Sequence, residues 1–439
     1  MYNRLKKSCK IVALCAGMLV LNSSVWAEPI EVTPEPIEIN LETAIQMALE
    51  NNPKTKIADG NLKNALGSKK QVIGQFGPQV SFQHTSRRHQ TYQAINTAVM
   101  NTFTDSVNFS YPLYTGGKRK GSVDASRRGV EIAELEIDRA DQEVKLDATT
   151  AFYDVLQTRN LVKLNKESVE RLELHLKNVQ AQFDVGVVAK VDVLRSEVEL
   201  ADAQQELIKA ENSHEIALAN LNNTIGLNLD TQIAVSEELT YEEYLKTMEY
   251  CLDYSLEHRP EILQAEKSVQ AAKSNIMSAR SGYIPTINLV ASHGWANDRF
   301  PGDEKNDWNV SAVVNINIFD SQTTRGAVDA AQGNLVQREA TYKQTKDSVA
   351  LQVRSNYLNL REAEKRIDTS SVTVEKAKED YKIALVRYQA GVGTNTDVLD
   401  AQVALTKAET NYIQALYDYN TSRAKLENSM GVSVNAIDE

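Results

Sequence analysis

Residues 308–318 read WNVSAVVNINI. Trp308, Val310, Ala312, Val314, Ile316 and Ile318 fall on one face of an extended chain, and Asn309, Ser311, Asn315 and Asn317 on the other with Val313. Period-two alternation of this kind marks a strand with one apolar face. Some two hundred residues earlier the pattern recurs, with Val107, Phe109, Tyr111 and Leu113 set against Ser106, Asn108 and Ser110. Partner strands are expected at 79–85 and 286–295, with loops at 87–101 and 296–307 rich in charge, Asn and Gly. The sequence therefore predicts two hairpins, at about 78–114 and 285–319. Alternation alone also admits, as the lesser reading, a small sheet lying on a soluble core. Strand length and the aromatics Tyr111, Tyr114, Trp295 and Trp308, a type favoured at membrane interfaces, point to lipid.

The hairpins belong to a duplication. Residues 44–60, AIQMALENNPKTKIADG, align without a gap on 251–267, CLDYSLEHRPEILQAEK, and Pro53 and Pro78 fall on Pro260 and Pro285, an offset of 260 − 53 = 207. Further along, Gly121, Phe152, Gly186 and Gly226 match Gly326, Tyr357, Gly391 and Gly431 at an offset of 326 − 121 = 205. One unit of structure is used twice. The expected organisation is an export signal at 1–27, a first repeat at 28–232 and a second at 233–439.

The nine prolines leave 113–259 and 302–439 without any, and these stretches are rich in helix-forming residues. Val155, Val162, Val169, Leu176 and Phe183 recur every seven residues, and 205 positions on stand Leu360, Ile367, Val374, Tyr381 and Tyr388. The adjoining stripe is half polar (Arg159, Lys166 and Glu173; Glu364, Ser371 and Lys378), which suits helices around a wet interior better than a dry rod. A helix over 118–183 would be about 100 Å long at ~1.5 Å per residue, longer than any globular domain. Gly186 and Gly391 predict its stop, followed by second helices over 192–224 and 397–429 that fold back.

Arg4, Lys6, Lys7 and Lys10 precede an apolar run over 11–21 and a small-residue site, Val25-Trp26-Ala27, the pattern of a secretory leader cleaved after Ala27. Cleavage would remove Cys9 and Cys15, leaving Cys251 without an internal disulfide partner. No later stretch is apolar enough for a spanning helix, whereas a β-barrel escapes hydropathy averaging. The formal charge of −11 speaks against a nucleic-acid partner.

Two hairpins make four strands, and four strands cannot close a barrel. An open edge in hydrocarbon leaves unpaired N–H and C=O groups at several kcal/mol each. Other copies must therefore complete the ring. Two would give a barrel filled by its own side chains, while three leave a lumen.

The motifs LETAIQMALENNP (41–53), YPLYTGGK (111–118) and RYQAGVGTNTDVLDA (387–401) resemble those of the TolC family of outer-membrane efflux proteins, and the likeness spans essentially the whole chain after the leader. What the resemblance implies is a mainly α protein. Long helical hairpins form a periplasmic α-barrel tunnel, and four β-strands per chain complete a 12-stranded outer-membrane barrel in a homotrimer. An equatorial belt would use 28–39, 228–250 and the tail after Gly431. Such a channel is a passive exit duct for a tripartite efflux pump or type I secretion system, partnered by a periplasmic adaptor (membrane fusion) protein and an inner-membrane pump. It has no enzymatic activity and needs no cofactor.

The family's periplasmic entrance is narrowed by aspartates, and the matching positions are Asp397 and Asp400. A ring of carboxylates attracts cations and raises its members' pKa values. From the residues alone, Asp397 reads as a first-turn helix residue and Asp400 as a solvated one. The resemblance also places gate contacts at Tyr388 and Asp192, with Gly393 where the family has an arginine, and adaptor-contacting turns at Gly186, Val187, Gly391 and Val392. Asp192 matches Asp397 across the duplication, but Asp400 matches Arg195.

No HExxH pair, cysteine pair, Walker loop, GxGxxG or GxSxG motif occurs, so no catalytic, metal or nucleotide site is expected. The competing reading is a soluble periplasmic coiled-coil scaffold or adaptor. Substrate and pump identity are not written in an exit pore.

Overall fold

A computed structural model describes residues 37–93, 96–300 and 305–434. The expected leader and residues 28–36 of the expected belt lie outside them. Strand β1 (Ile37–Ile39) leads into α1 (Leu41–Asn51) and α2 (Pro53–Gln75), followed by strands β2 (Gln79–Gln93) and β3 (Asn96–Tyr114). Helices α3 (Lys118–Asp184) and α4 (Lys190–Ile225) complete the first half. The second half repeats the order with β4 (Ile233–Val235), α5 (Met248–His258), α6 (Pro260–Arg280), β5 (Thr286–Asn297), β6 (Lys305–Asn315), α7 (Thr323–Gln389) and α8 (Asn395–Met430).

The long helices of the two halves agree to the residue at the sequence offset of 205. Helices α3 and α7 each hold 67 residues, and α4 and α8 each hold 36. Sixty-seven residues at ~1.5 Å give about 100 Å. Local chemistry sets the boundaries. Asn40 caps α1 by accepting from Thr43 N in a reciprocal box, Asn52 caps α2 ahead of Pro53 in its first turn, and Thr394 caps α8.

Helix α3 packs along α4, α6, α2 and α8, and α7 along α8 and α6. Two cores result. The larger gathers Phe152, Leu156, Leu221, Ile225, Leu360, Tyr419 and Leu426, each at most 1% exposed, with Ile39 and Cys251. Each such side chain contributes about 1.5–3 kcal/mol by burial. The smaller joins Val179, Val193, Ala384, Tyr388, Val398 and Ala401 beside the hairpin turns.

The expected heptad holds on α7 at Leu360, Ile367 and Tyr388, which are all buried. On α3 Val155 and Val169 are buried but Phe183 is 37% exposed.

The sheet runs β2-β3-β5-β6, antiparallel throughout, and β1 pairs with β4 in parallel. Two expectations need correction. Most of the segment 87–101, expected as a loop, is strand, with β2 reaching Gln93 and β3 starting at Asn96. Backbone pairing continues there while Arg87, Arg88, His89 and Gln90 put polar side chains on both faces, so the alternation disappears although the ladder does not. Conversely, β6 ends at Asn315 rather than at Ile318. Its partner β5 begins at Thr286, just after Pro285, so 316–318 have no strand beside them within the chain.

Candidate functional site

The two long hairpins turn at 185–189 and 390–394. Both turns close in the same way. Gly186 N–H donates to Phe183 O at 2.8 Å and Val187 N–H to Gln182 O at 2.9 Å, and Gly391 and Val392 bond likewise to Tyr388 and Arg387 at 3.0 and 2.9 Å. This double bond pattern needs a left-handed residue, and φ is +79° at Gly186 and +76° at Gly391. With the last carbonyls satisfied, the chain reverses and leaves Val185, Val187 and Val392 at 74%, 72% and 66% exposure. These apolar side chains at the end of the long hairpins are thus outside the core.

Inside the turns lies a polar cluster that sequence reasoning missed. His175 of α3, 3% exposed, donates from Nε2 to Asn395 Oδ1 at 2.7 Å. Asn395 Nδ2 donates to the Asp192 carbonyl at 3.0 Å and to Ser196 Oγ at 3.2 Å, so one amide ties α3, α4 and α8 together. Burial pushes the pKa of the His175 imidazole down, only partly offset by Asn395, which favours the neutral ring. The visible signal was a polar residue amid leucines, Leu172, Leu174 and Leu176 around His175, but a sequence does not show which helix faces it.

Tyr388 of α7 is 7% exposed and sits against His175, with ring centroids 5.4 Å apart. Burial raises its phenol, and the nearby Asp192 charge adds to that. The expected gate pair is thus brought together, yet the Tyr388 hydroxyl has no hydrogen-bond partner among the described residues. The Asp192 carbonyl, not its carboxylate, is what the cluster engages.

Asp397 and Asp400 are both exposed. The Asp397 carboxylate accepts from Thr394 N–H at 2.9 Å while Thr394 Oγ1 accepts from Asp397 N–H at 3.2 Å, so the aspartate closes the box that starts α8. Those bonds hold its carboxyl below the usual range, with help from the Arg387 charge. Asp400 lies near Glu199 of α4, whose carboxyl is raised by burial and by the charges of Asp202 and Asp400. Arg195, the counterpart of Asp400, bonds Thr396 Oγ1 at 2.8 Å. The end of the hairpin pair therefore brings the exposed Asp397 and Asp400 together with Arg195 and Arg387.

At the other end, the sheet presents Val80 (70%), Phe82 (64%), Trp308 (76%), Val310 (61%) and Val314 (58%) on one exposed face. Strand register places Val107, Phe109, Leu289 and Ala291 on that face too. Ser81, Asn108, Ser292 and Asn309 line up on the opposite one. No helix among the described residues is long and apolar enough to cross a membrane, and no group of three metal-ligating side chains occurs among them.

Comparison with known proteins bears on this geometry. A profile of the family described as outer membrane efflux protein matches residues 44–227 and 251–432. The outer membrane protein TolC of Escherichia coli K12 is 21% identical over 406 residues, covering 89% of this chain and 82% of that protein. TolC of Vibrio cholerae is 22% identical over 428 residues, covering 95% and 93%. Among solved structures, the Campylobacter jejuni CmeC outer membrane channel superposes with a TM-score of 0.81 at 18% identity, covering 91% of this chain and 87% of that one. The outer membrane protein VceC of Vibrio cholerae gives 0.79 at 18% identity, covering 89% and 96%.

Proposed function

The chain belongs to the outer membrane efflux protein family, and from that premise we propose that three copies form a passive exit duct across the outer membrane and far into the periplasm. The chain is an outer-membrane efflux channel, not a soluble scaffold. One observation carries the trimer. The sheet has one apolar face and two open edges, β2 and β6, and an open edge is not tolerated in hydrocarbon. Four strands from each of three copies give a closed ring with a lumen. The helices of about 100 Å continue that lumen as a tunnel.

In this reading residues 1–27 are the export signal and the repeats 28–232 and 233–439 each supply one hairpin to the barrel and one helical hairpin to the tunnel. Asp397 and Asp400 ring the periplasmic entrance, and Tyr388 and Asp192 lie at the helix contact that would move on opening. The exposed turns at Gly186, Val187, Gly391 and Val392 meet a periplasmic adaptor, which couples the duct to an inner-membrane pump. Relatives include efflux pump outer membrane proteins, and the duct carries no catalysis of its own; energy comes from the pump. Outer-membrane lipid covers the apolar sheet face.

The test is to purify the protein in mild detergent and reconstitute it in planar bilayers. Trimeric mass with discrete conductance steps is expected. A monomeric mass without conductance would overturn the reading.

A further inference from the structure

Although the chain has a formal charge of −11, residues 60–123 hold eight Lys or Arg and a single acidic residue, Asp105. The matching stretch of the second repeat, 267–328, holds six against five. Five of the eight cations sit where the sheet hands over to the helices. Lys69 and Lys70 belong to the last two turns of α2, and Lys118, Arg119 and Lys120 open the first turn of α3. Lys70, Lys118, Arg119 and Lys120 are exposed, and none of the five has a carboxylate partner among the described residues. Further from the sheet the same two helices do pair their cations. Lys54 meets Glu143 and Asp147 at 2.6 and 2.8 Å, Arg128 meets Glu131 at 2.7 Å, and Arg139 meets Glu136 at 2.6 Å.

The start of a helix is the place least suited to cations, because the macrodipole is positive there. The second repeat shows the usual arrangement. Asp320 precedes α7, and its carboxylate accepts from Thr324 N–H at 2.9 Å. In the first repeat Thr115 stands where Asp320 does, and Lys118 and Arg119 stand in place of Thr323 and Thr324. Thr115 offers only a hydroxyl, which accepts from Arg119 N–H at 3.1 Å. Three cations without a carboxylate therefore destabilise the start of α3, and no group of the protomer offsets them.

Resting on the barrel reading above, we propose that this collar of cations docks the phosphate headgroups of anionic phospholipids in the leaflet nearest the tunnel. The surface around it has the order of a lipid leaflet. The sheet face is apolar, its rim carries Leu113 and Tyr114 at 53% and 47% exposure, with Tyr114 beside Ile287, and the cations follow. Lys118 is four residues past Tyr114, at most about 14 Å along the chain. Lys70 lies about 8 Å from the end of α2. A headgroup layer is about 5–7 Å thick, and a lysine stem extends the reach of its ammonium. Consecutive helical residues point about 100° apart, so whichever way α3 is turned at least one of Lys118, Arg119 and Lys120 faces the membrane side. Each cation near an anionic lipid surface gives about a fivefold preference. Repeated in three copies, the collar sets the depth of the duct, since sliding the barrel by one headgroup layer takes the cations off their phosphates.

Fluorescence quenching tests the collar. Tyr114→Trp, in a background of Trp295→Phe and Trp308→Phe, leaves one tryptophan after residue 27, next to the cations. The protein is reconstituted in phosphatidylcholine vesicles that contain either dibrominated phosphatidylglycerol or dibrominated phosphatidylcholine, and quenching gives the relative binding of the two lipids. A preference of about fivefold or more for phosphatidylglycerol is expected at low salt, falling at about 1 M salt. Lys118→Gln with Arg119→Gln and Lys120→Gln should remove most of it at unchanged oligomeric mass, while Lys118→Arg with Lys120→Arg should keep it. Lys63→Gln, about 18 Å from the end of α2 and beyond the headgroups, should leave it unchanged. If the triple variant does not assemble, the salt series on the parent decides. No preference in the parent, a preference that 1 M salt leaves intact, or an equal loss in Lys63→Gln overturns the collar while quenching still places the sheet face in lipid. Absence of quenching by either lipid would take that face out of the membrane and overturn the barrel reading beneath the proposal.

Discussion

Gly391 and Gly431 end their helices alike, yet an alanine should cost different amounts at the two. Both adopt φ near +77° (+76° and +77°) and both donate to the carbonyl three residues back, at 3.0 Å. A left-handed alanine is strained by roughly 1–2 kcal/mol wherever it sits. At Gly391 that is the whole cost, because a Cβ there meets nothing within 4 Å. At Gly431 the same Cβ would lie 2.9 Å from Arg259 Cα and 3.0 Å from His258 O, both of the main chain and unable to rotate away. The α5–α6 junction would have to shift, at about 1–3 kcal/mol more, as in other overpacked sites. Gly431→Ala should therefore lower stability by about 2–5 kcal/mol per chain and Gly391→Ala by about 1–2. Guanidinium unfolding followed by circular dichroism, at one fixed protein concentration because the assembly is concentration-linked, measures both. Equal shifts, or a larger one at Gly391, would refute the argument that space rather than backbone conformation separates the two sites.

Three further outcomes are expected. Asp397→Ala combined with Asp400→Ala should reduce cation selectivity and relieve block by multivalent cations in planar bilayers, and unchanged reversal potentials would take these residues out of the pore. Bulky replacements at Val187 and Val392, which are open to solvent, should abolish export while the trimer still assembles; loss of the trimer would contradict an adaptor-facing role. Burial lowers the His175 pKa, and its surroundings are Asn395 of α8, Tyr388 of α7 and, by that tyrosine, Asp192 of α4. Above about pH 6.5 neither folded nor unfolded chain protonates this ring; below it the unfolded chain takes a proton that the folded one resists, so stability falls as pH falls toward the folded pKa. Unfolding midpoints at pH 7.5 and 5.5 should thus differ more in the parent than in His175→Gln, and identical pH dependence would exclude the histidine as the source.

Much of the architecture was legible because it is local. The long helices were visible as proline-free stretches, and the expected 118–183 differs from α3 by one residue at its end. Their stops were visible at Gly186 and Gly391 because only glycine adopts that backbone cheaply. The distal halves of the hairpins were not legible: once both faces of β2 turn polar beyond His84, nothing in the side chains marks a strand that the backbone still forms. The candidate entrance was half legible. Asp397 could be read as a first-turn residue, which its capping box makes it, but the tie from His175 to Asn395 joins residues 220 positions apart.

By itself, then, the sequence determined the duplication, the helix lengths, the turns and the apolar strand face, since each follows from neighbours along the chain or from a repeat that can be counted. Only the tertiary structure decided which helices share a seam, that the hydroxyl of Tyr388 is buried beside His175, and that β3 meets β5 while β2 and β6 stay open. Those are relations between segments far apart in the chain. They are fixed by packing and by strand order, which no local pattern of residues encodes.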